Sequence, residues 1–133
     1  MNKLDKESVI GISALLVHTA KIDENYSEDE KNLVKNFISS YLQNENTKEI
    51  LKKAEEIEND SNQLLNFTNT IKKNPIDVKK DIIEHLWKVI ISDNNIDQYE
   101  SNLMRRICGL IYFSDKDCAE IKLKLLNSKW PIL

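Results

Sequence analysis

Asp23-Glu24-Asn25-Tyr26-Ser27-Glu28-Asp29-Glu30 returns later in the chain as Asp93-Asn94-Asn95-Ile96-Asp97-Gln98-Tyr99-Glu100. Both copies read Asp, two variable residues, an apolar residue, a Ser or Asp able to cap a helix, two more residues and Glu, so one pattern fits both without a gap. At the same offset Leu16 maps onto Leu86, Leu33 onto Leu103 and Phe37 onto Ile107. After the Glu, the positions Leu33, Val34, Phe37, Ile38, Tyr41 and Leu42 answer to Leu103, Met104, Ile107, Cys108, Ile111 and Tyr112, one helical stripe used twice. A unit this long, present only twice, points to a pseudo-twofold single domain rather than a solenoid. The expected organisation is repeat one over about 5–59, a connector helix over about 61–73, and repeat two over about 75–128, seven helices in all.

Composition agrees with an all-α class. With 133 residues, 41% hydrophobic and 31% charged, the chain is sized for one soluble domain with a real core. It holds only two Gly and two Pro and shows no alternating strand pair around a hairpin turn, which excludes most all-β designs. The net charge of -3 gives no global attraction for nucleic acid, and the basic pairs Lys52-Lys53, Lys72-Lys73, Lys79-Lys80 and Arg105-Arg106 are each diluted by acids. No nucleic-acid partner is expected. The apolar run Val9 to Val17 is far short of the roughly 20 residues that span a bilayer. Asp5 and Glu7 also spoil it as a secretion signal, so neither membrane insertion nor export is expected and the location reads as cytoplasmic. In that compartment Cys108 and Cys118 read as free, buried thiols.

In chain order, Asp5 caps a first helix to about Ile22 that carries Val9, Ile12, Leu16 and Ala20 on one face, with Ile10 and Val17 beside them. Ser27 and Glu30 have the spacing of a capping box for a second helix to about Gln43. Asn46 or Thr47 starts a third, with Ile50, Leu51, Ala54 and Ile57 inward and the acidic run Glu55, Glu56, Glu58, Asp60 as a solvated face. A connector helix through Leu64, Leu65, Thr68 and Ile71 leads to Asn74-Pro75, which opens a fifth with Val78, Ile82, Leu86, Val89 and Ile90 buried. The second motif, a sixth helix to about Phe113, the cap Ser114 and a last helix with Ile121, Leu125 and Leu126 follow. Trp130-Pro131-Ile132-Leu133 reads as an apolar tail docked on the core.

The segments AKIDENYSEDEKNLV and ISDNNIDQYESNLM, followed by LIYFSDKD, give the chain a family resemblance. A helix, then Asp-Gly-x-apolar-(Ser/Asp)-x-x-Glu, then a second amphipathic helix, given twice, resembles the TerB-like tellurite-resistance family and the front domain of the DjlA co-chaperones. The resemblance frames nearly the whole chain, and it departs at the Gly, which is Glu24 in one copy and Asn94 in the other. Because Asn reaches positive φ more cheaply than Glu, the first loop is expected to differ in shape from the family's. The resemblance implies a cytoplasmic scaffold in tellurite, oxidative or phage stress that acts beside a TerC-like membrane protein, with a suspected affinity for divalent metal ions.

The residues themselves leave the acidic motif three readings. As a cation loop, Asp23, Asn25 and Ser27, or Asp93, Asn95 and Asp97, offer oxygens at positions one, three and five, with Glu30 and Glu100 able to turn inward; calcium, magnesium and zinc are the candidates. The second loop has the extra carboxylate and should bind more tightly, although an EF-hand's Gly and its bidentate Glu are missing: Glu28 or Gln98 and Val34 or Met104 stand there. As structure, Asp23 and Asp93 form Asx turns while Ser27/Glu30 and Asp97/Glu100 cap helices. As a binding face, the two turns converge on a basic partner. Catalysis has less to stand on. His18 and His85 do not correspond under the repeat, and there is no phosphate loop, nucleophile elbow or Cys-x-x-Cys, so a non-enzymatic module is expected and a carboxylate-metal hydrolase is a remote alternative.

Overall fold

The computed structural model describes residues 4–21, 26–43, 45–60, 67–69, 71–91 and 98–129, the side chains of residues 98–100, 128 and 129 excepted. Among these residues the structure is all helical, with no strand. Its six helices are α1 (Lys6–Ala20), α2 (Glu28–Tyr41), α3 (Thr47–Asp60), α4 (Ile76–Ile91), α5 (Gln98–Leu110) and α6 (Asp115–Lys129).

Each described start has a local cause. The Asp5 carboxylate accepts the Ser8 backbone N–H at 2.7 Å and opens α1. The Asn46 side-chain oxygen accepts from the amides of Lys48 and Glu49 at 3.1 and 3.3 Å and opens α3. Ser114 Oγ accepts from Asp117 N at 3.4 Å at the head of α6. These bonds satisfy backbone donors that the first turn leaves without partners. At α4 the Pro75 carbonyl already accepts from Lys79 N at 3.1 Å, so the proline sits where its missing N–H costs nothing.

Among the described residues six helices stand where seven were expected. Of the stretch 61–73, residues 61–66 and 70 lie outside the described residues, Phe67 and Thr68 are helical, and the chain then turns. The Thr68 carbonyl accepts from Ile71 N at 3.0 Å and Lys72 N at 3.2 Å, and Ile71 O accepts from Asn74 N at 3.0 Å, the bonds of a turn over 71–73. Asn62, Asn66, Asn69 and Asn74 crowd this segment, and Asn favours turns by competing for backbone hydrogen bonds. Phe67 and Ile71 are nevertheless buried and join the core.

The core is organised by α1 and α4, which pack against each other. In α1 the consecutive residues Ile12, Ser13, Ala14, Leu15, Leu16 and Val17 are all buried. A run that exceeds one turn of about 3.6 residues covers the whole circumference, so this helix is wrapped on every side. The wrapping comes from α2, α3 and α4. Helix α4 buries Ile82, Ile83, Leu86, Trp87, Val89, Ile90 and Ile91 and packs on α6 as well as on α1 and α2. A single apolar cluster draws on all six helices.

Two expected core positions turn outward. Ile57 of α3 is 42% exposed, because that helix lays Ile50, Leu51 and Ala54 on α1 and α2 and Ile57 falls beyond the covered stripe. Tyr112 is 74% exposed, and its backbone explains why. It stands past the end of α5 with φ 59, its N–H meeting the Gly109 carbonyl at 3.4 Å while Phe113 N reaches Cys108 O at 2.8 Å. That pair of bonds is a Schellman ending, which normally places Gly at the left-handed position. A side chain there costs about 1 kcal/mol or more, so Tyr112→Gly is expected to raise the urea midpoint without changing the slope of unfolding. A lowered midpoint would show that the exposed ring contributes more than its backbone costs.

Candidate functional site

In the chain the acidic motifs fall between α1 and α2 and between α4 and α5. Asp23, Asn25, Asp93, Asn95 and Asp97 lie outside the described residues, and of Glu100 only the backbone is described, in the first turn of α5. Ser27 and Glu30 are fully described, and they form the capping box their spacing predicts. Ser27 Oγ accepts from Glu30 N at 3.2 Å, while Glu30 Oε1 accepts from Ser27 N at 2.8 Å and from Ser27 Oγ at 3.2 Å. Glu30 is only 4% exposed, so a cation drawing on it would meet a buried carboxylate one of whose oxygens already takes two hydrogen bonds. Ser27→Ala is expected to cost about 1 kcal/mol, as lost N-caps do. An unchanged urea midpoint would remove the cap from the account of α2.

The residues flanking the first loop are tied to α3. On the entering side, Lys21 Nζ reaches Glu58 Oε1 at 2.8 Å and His18 Nδ1 reaches Glu58 Oε2 at 3.2 Å, one carboxylate oxygen for each base. The His18 ring also lies 5.8 Å from that of Phe67. On the leaving side, the Tyr26 hydroxyl donates to Glu55 Oε2 at 2.7 Å, and the Lys31 ammonium sits 5.2 Å from the centre of the Tyr26 ring. Burial pushes the Tyr26 hydroxyl well above its ordinary pKa, aided by its bond to Glu55 and by the negative charges of Glu55, Glu30 and Glu28. It therefore stays a donor at any physiological pH. Glu55 and Glu58 are three residues apart and share one face of α3, so a single helical edge clamps both ends of the 22–25 segment.

This arrangement corrects the reading of the acidic run as a solvated face. Glu56 and Asp60 are exposed, but Glu55 and Glu58 are half-buried and bonded. The signal was available in the spacing: Glu55 and Glu58 follow the buried Leu51 and Ala54 by four residues and so continue the covered stripe. His85 is a satisfied helix residue. Its Nδ1 lies 2.8 Å from the Asp81 carbonyl, which can only accept, so the proton is on Nδ1. Asp81 in turn accepts from the Tyr41 hydroxyl at 2.6 Å, which ties α2 to α4.

Among the described residues no group of three or more His, Cys, Asp or Glu side chains could hold a metal ion. Nor is any described helix long and apolar enough to cross a membrane. Cys108 and Cys118 are free and buried, as expected. A family model described as Tellurite resistance protein TerB matches residues 10–123. Curated proteins and solved structures give no match.

Proposed function

Because the chain belongs to the TerB family, we propose that it is a non-enzymatic binding module whose acidic loops meet a protein partner in a cytoplasmic response to tellurite or oxidative stress. The observation that carries this reading is the double clamp on the first loop. Lys21 and Tyr26, immediately outside residues 22–25, are both held by carboxylates of α3. Anchored ends lower the entropy that a loop surrenders on binding, which is the use such clamps have in recognition surfaces. Between those ends the sequence places Asp23, Glu24 and Asn25, the residues whose chemistry we take a partner to meet. Their charge suits a basic surface, such as a cytoplasmic segment of a TerC-like membrane protein.

The finer reading of the fold belongs here too. We take α1-α2-α3 and α4-α5-α6 as the two copies of a duplication, supported by the close packing of α1 on α3 and of α4 on α6. Two copies supply two acidic loops per chain, and the second, with Asp93, Asn95 and Asp97, carries the same chemistry. A divalent cation drawing on these same carboxylates is the competing reading; calorimetry with calcium, magnesium and zinc separates the two.

The test is complementation. In a host deprived of its own TerB, the unmodified chain is expected to protect against tellurite. An Asp23→Asn/Asp93→Asn double variant, shown by its melt to be folded, is expected to lose that protection. Full protection by the folded double variant would remove the loops from the function.

A further inference from the structure

Residues of α4, α5 and α6 line an open cleft of about 220 Å³. Helical spacing places them. Ser101 and Arg105 stand one turn apart on α5, and Asp115, Ala119 and Lys122 follow one another along a single face of α6. Trp87 of α4, Met104 of α5 and Cys118 of α6 also line it, and all three are buried, at 4%, 1% and 6% exposure. The orientation of the Trp87 ring is fixed, its Nε1 lying 3.2 Å from the Cys118 carbonyl that accepts its proton. The Lys122 ammonium stands 5.3 Å from the centre of that ring, a contact that holds a cation without neutralising it. Among the described residues neither Lys122 nor Arg105 forms an ion pair, although Asp115 belongs to the same cleft.

We propose that this cleft receives a glutamate side chain of a protein partner. The inference rests on the reading of the chain as a binding module, but not on its acidic loops. The two cations Arg105 and Lys122 against the one carboxylate of Asp115 leave the cleft a single positive charge, on a chain whose net charge is -3. A carboxylate monoanion matches that charge better than a phosphate, which carries nearly twice as much at neutral pH. The positive charge is also available, because an arriving carboxylate breaks no ion pair. The Arg105 guanidinium offers its fork of N–H donors, Lys122 its ammonium, and Ser101 a hydroxyl. The apolar lining selects what the carboxylate is attached to. Met104, Cys118 and Ala119 suit the methylene stem of glutamate, whereas a bare inorganic anion would leave that surface facing water.

Size and shape favour a side chain over a free ligand. Sites for drug-sized molecules hold about 300–1,000 Å³ and bury most of the ligand, whereas this cleft is smaller and open. A residue carried on a partner's surface enters such a cleft while the rest of the partner covers its mouth. The cover excludes water, and the Arg105 and Lys122 contacts strengthen as the local dielectric falls. The partner's glutamate is then an anchor opposite in sign to the basic groups that meet the acidic loops.

The test titrates the full chain with the peptide Ala-Leu-Glu-Leu-Ala, acetylated and amidated so that its glutamate is the only carboxylate, and follows the Trp87 indole N–H and the Arg105 Nε–H by NMR. A Trp130→Phe variant assigns the indole signal. Saturable shifts of both signals are expected with this peptide, and none with its glutamine counterpart. Arg105→Gln and Lys122→Gln are each expected to weaken binding by about tenfold, the size of a lost charge-assisted contact. Arg105 is exposed, so its variant decides the matter if Lys122→Gln loosens the fold. The Asp23→Asn/Asp93→Asn double variant is expected to bind the peptide like the unmodified protein, which keeps a failure of the loops distinct from a failure of the cleft. Unmoved signals, equal binding of the glutamine peptide, undiminished affinity in Arg105→Gln, or loss of binding in the double variant would each overturn the proposal. So would butanoate or inorganic phosphate binding as tightly as the glutamate peptide, since the cleft would then be a site for a free small anion.

Discussion

Phe37→Ala is expected to be the most damaging single truncation in the chain, costing about 3–5 kcal/mol. Phe37 is fully buried, and it is among the largest side chains in that state. Its ring lies 5.1 Å from that of Tyr41 on its own helix and 5.1 Å, edge to face, from His85 on α4. Removing it deletes the transfer energy of the ring and leaves a cavity between two helices. The cavity cannot simply collapse, because Tyr41 is fixed to Asp81 at 2.6 Å and His85 to the Asp81 carbonyl at 2.8 Å. Aromatic pairs contribute beyond their area, by about 0.5–1.5 kcal/mol each, and both would go. Against a total stability of about 5–15 kcal/mol for a domain of ordinary size, the variant is expected to sit at the edge of folding. Phe37→Leu keeps most of the apolar volume and should lose less. Urea unfolding of the three proteins measures the series, and a loss below about 1 kcal/mol for the alanine variant would mean that α2 and α4 can close the gap.

How much of this was legible depended on whether the cause was local. Asp5, the Ser27/Glu30 box, Asn46 and Ser114 were readable because a cap is a bond between residues three apart or fewer, and their types and spacing stand in the sequence. The buried faces of α1 and α4 were readable for the same reason, since helical periodicity is a short-range signal. Tyr112 was misplaced because Ile111, Tyr112 and Phe113 continue an apolar run; only the backbone reversal, with φ 59 where Gly is usual, turns the ring out. The roles of Glu55 and Glu58 were hidden for a different reason. Spacing from Leu51 and Ala54 placed them on the covered side of α3, but their partners Tyr26, His18 and Lys21 are distant in sequence, and periodicity does not say which residue a side chain meets across the fold. Most of the connector lies outside the described residues; its described end turns at 71–73, between Asn69 and Asn74, a residue type that favours turns.

Division of the chain after Lys73 is expected to leave the N-terminal piece unfolded. The argument rests on α1, whose side chains from Ile12 to Val17 are buried around the full circumference by α2, α3 and α4 together. Without α4, one side of that helix faces water, and so does the side of α2 that packs on α4 through Phe37. Each exposed Val, Leu, Ile or Phe forfeits about 1.5–3 kcal/mol of burial. At the size of one repeat a chain buries only about 60% of its unfolded surface even when complete, so the loss of a few such side chains exceeds the margin. The remaining piece is in the same position, because α4 loses α1 and α2 together. The expected outcome for residues 1–73 alone is a non-cooperative melt and narrow amide dispersion, with structure regained on mixing with residues 74–133. A cooperative melt with dispersed amides from residues 1–73 alone would mean that the two halves are separate folding units, and that the α1–α4 contact is an interface between them rather than the centre of one core.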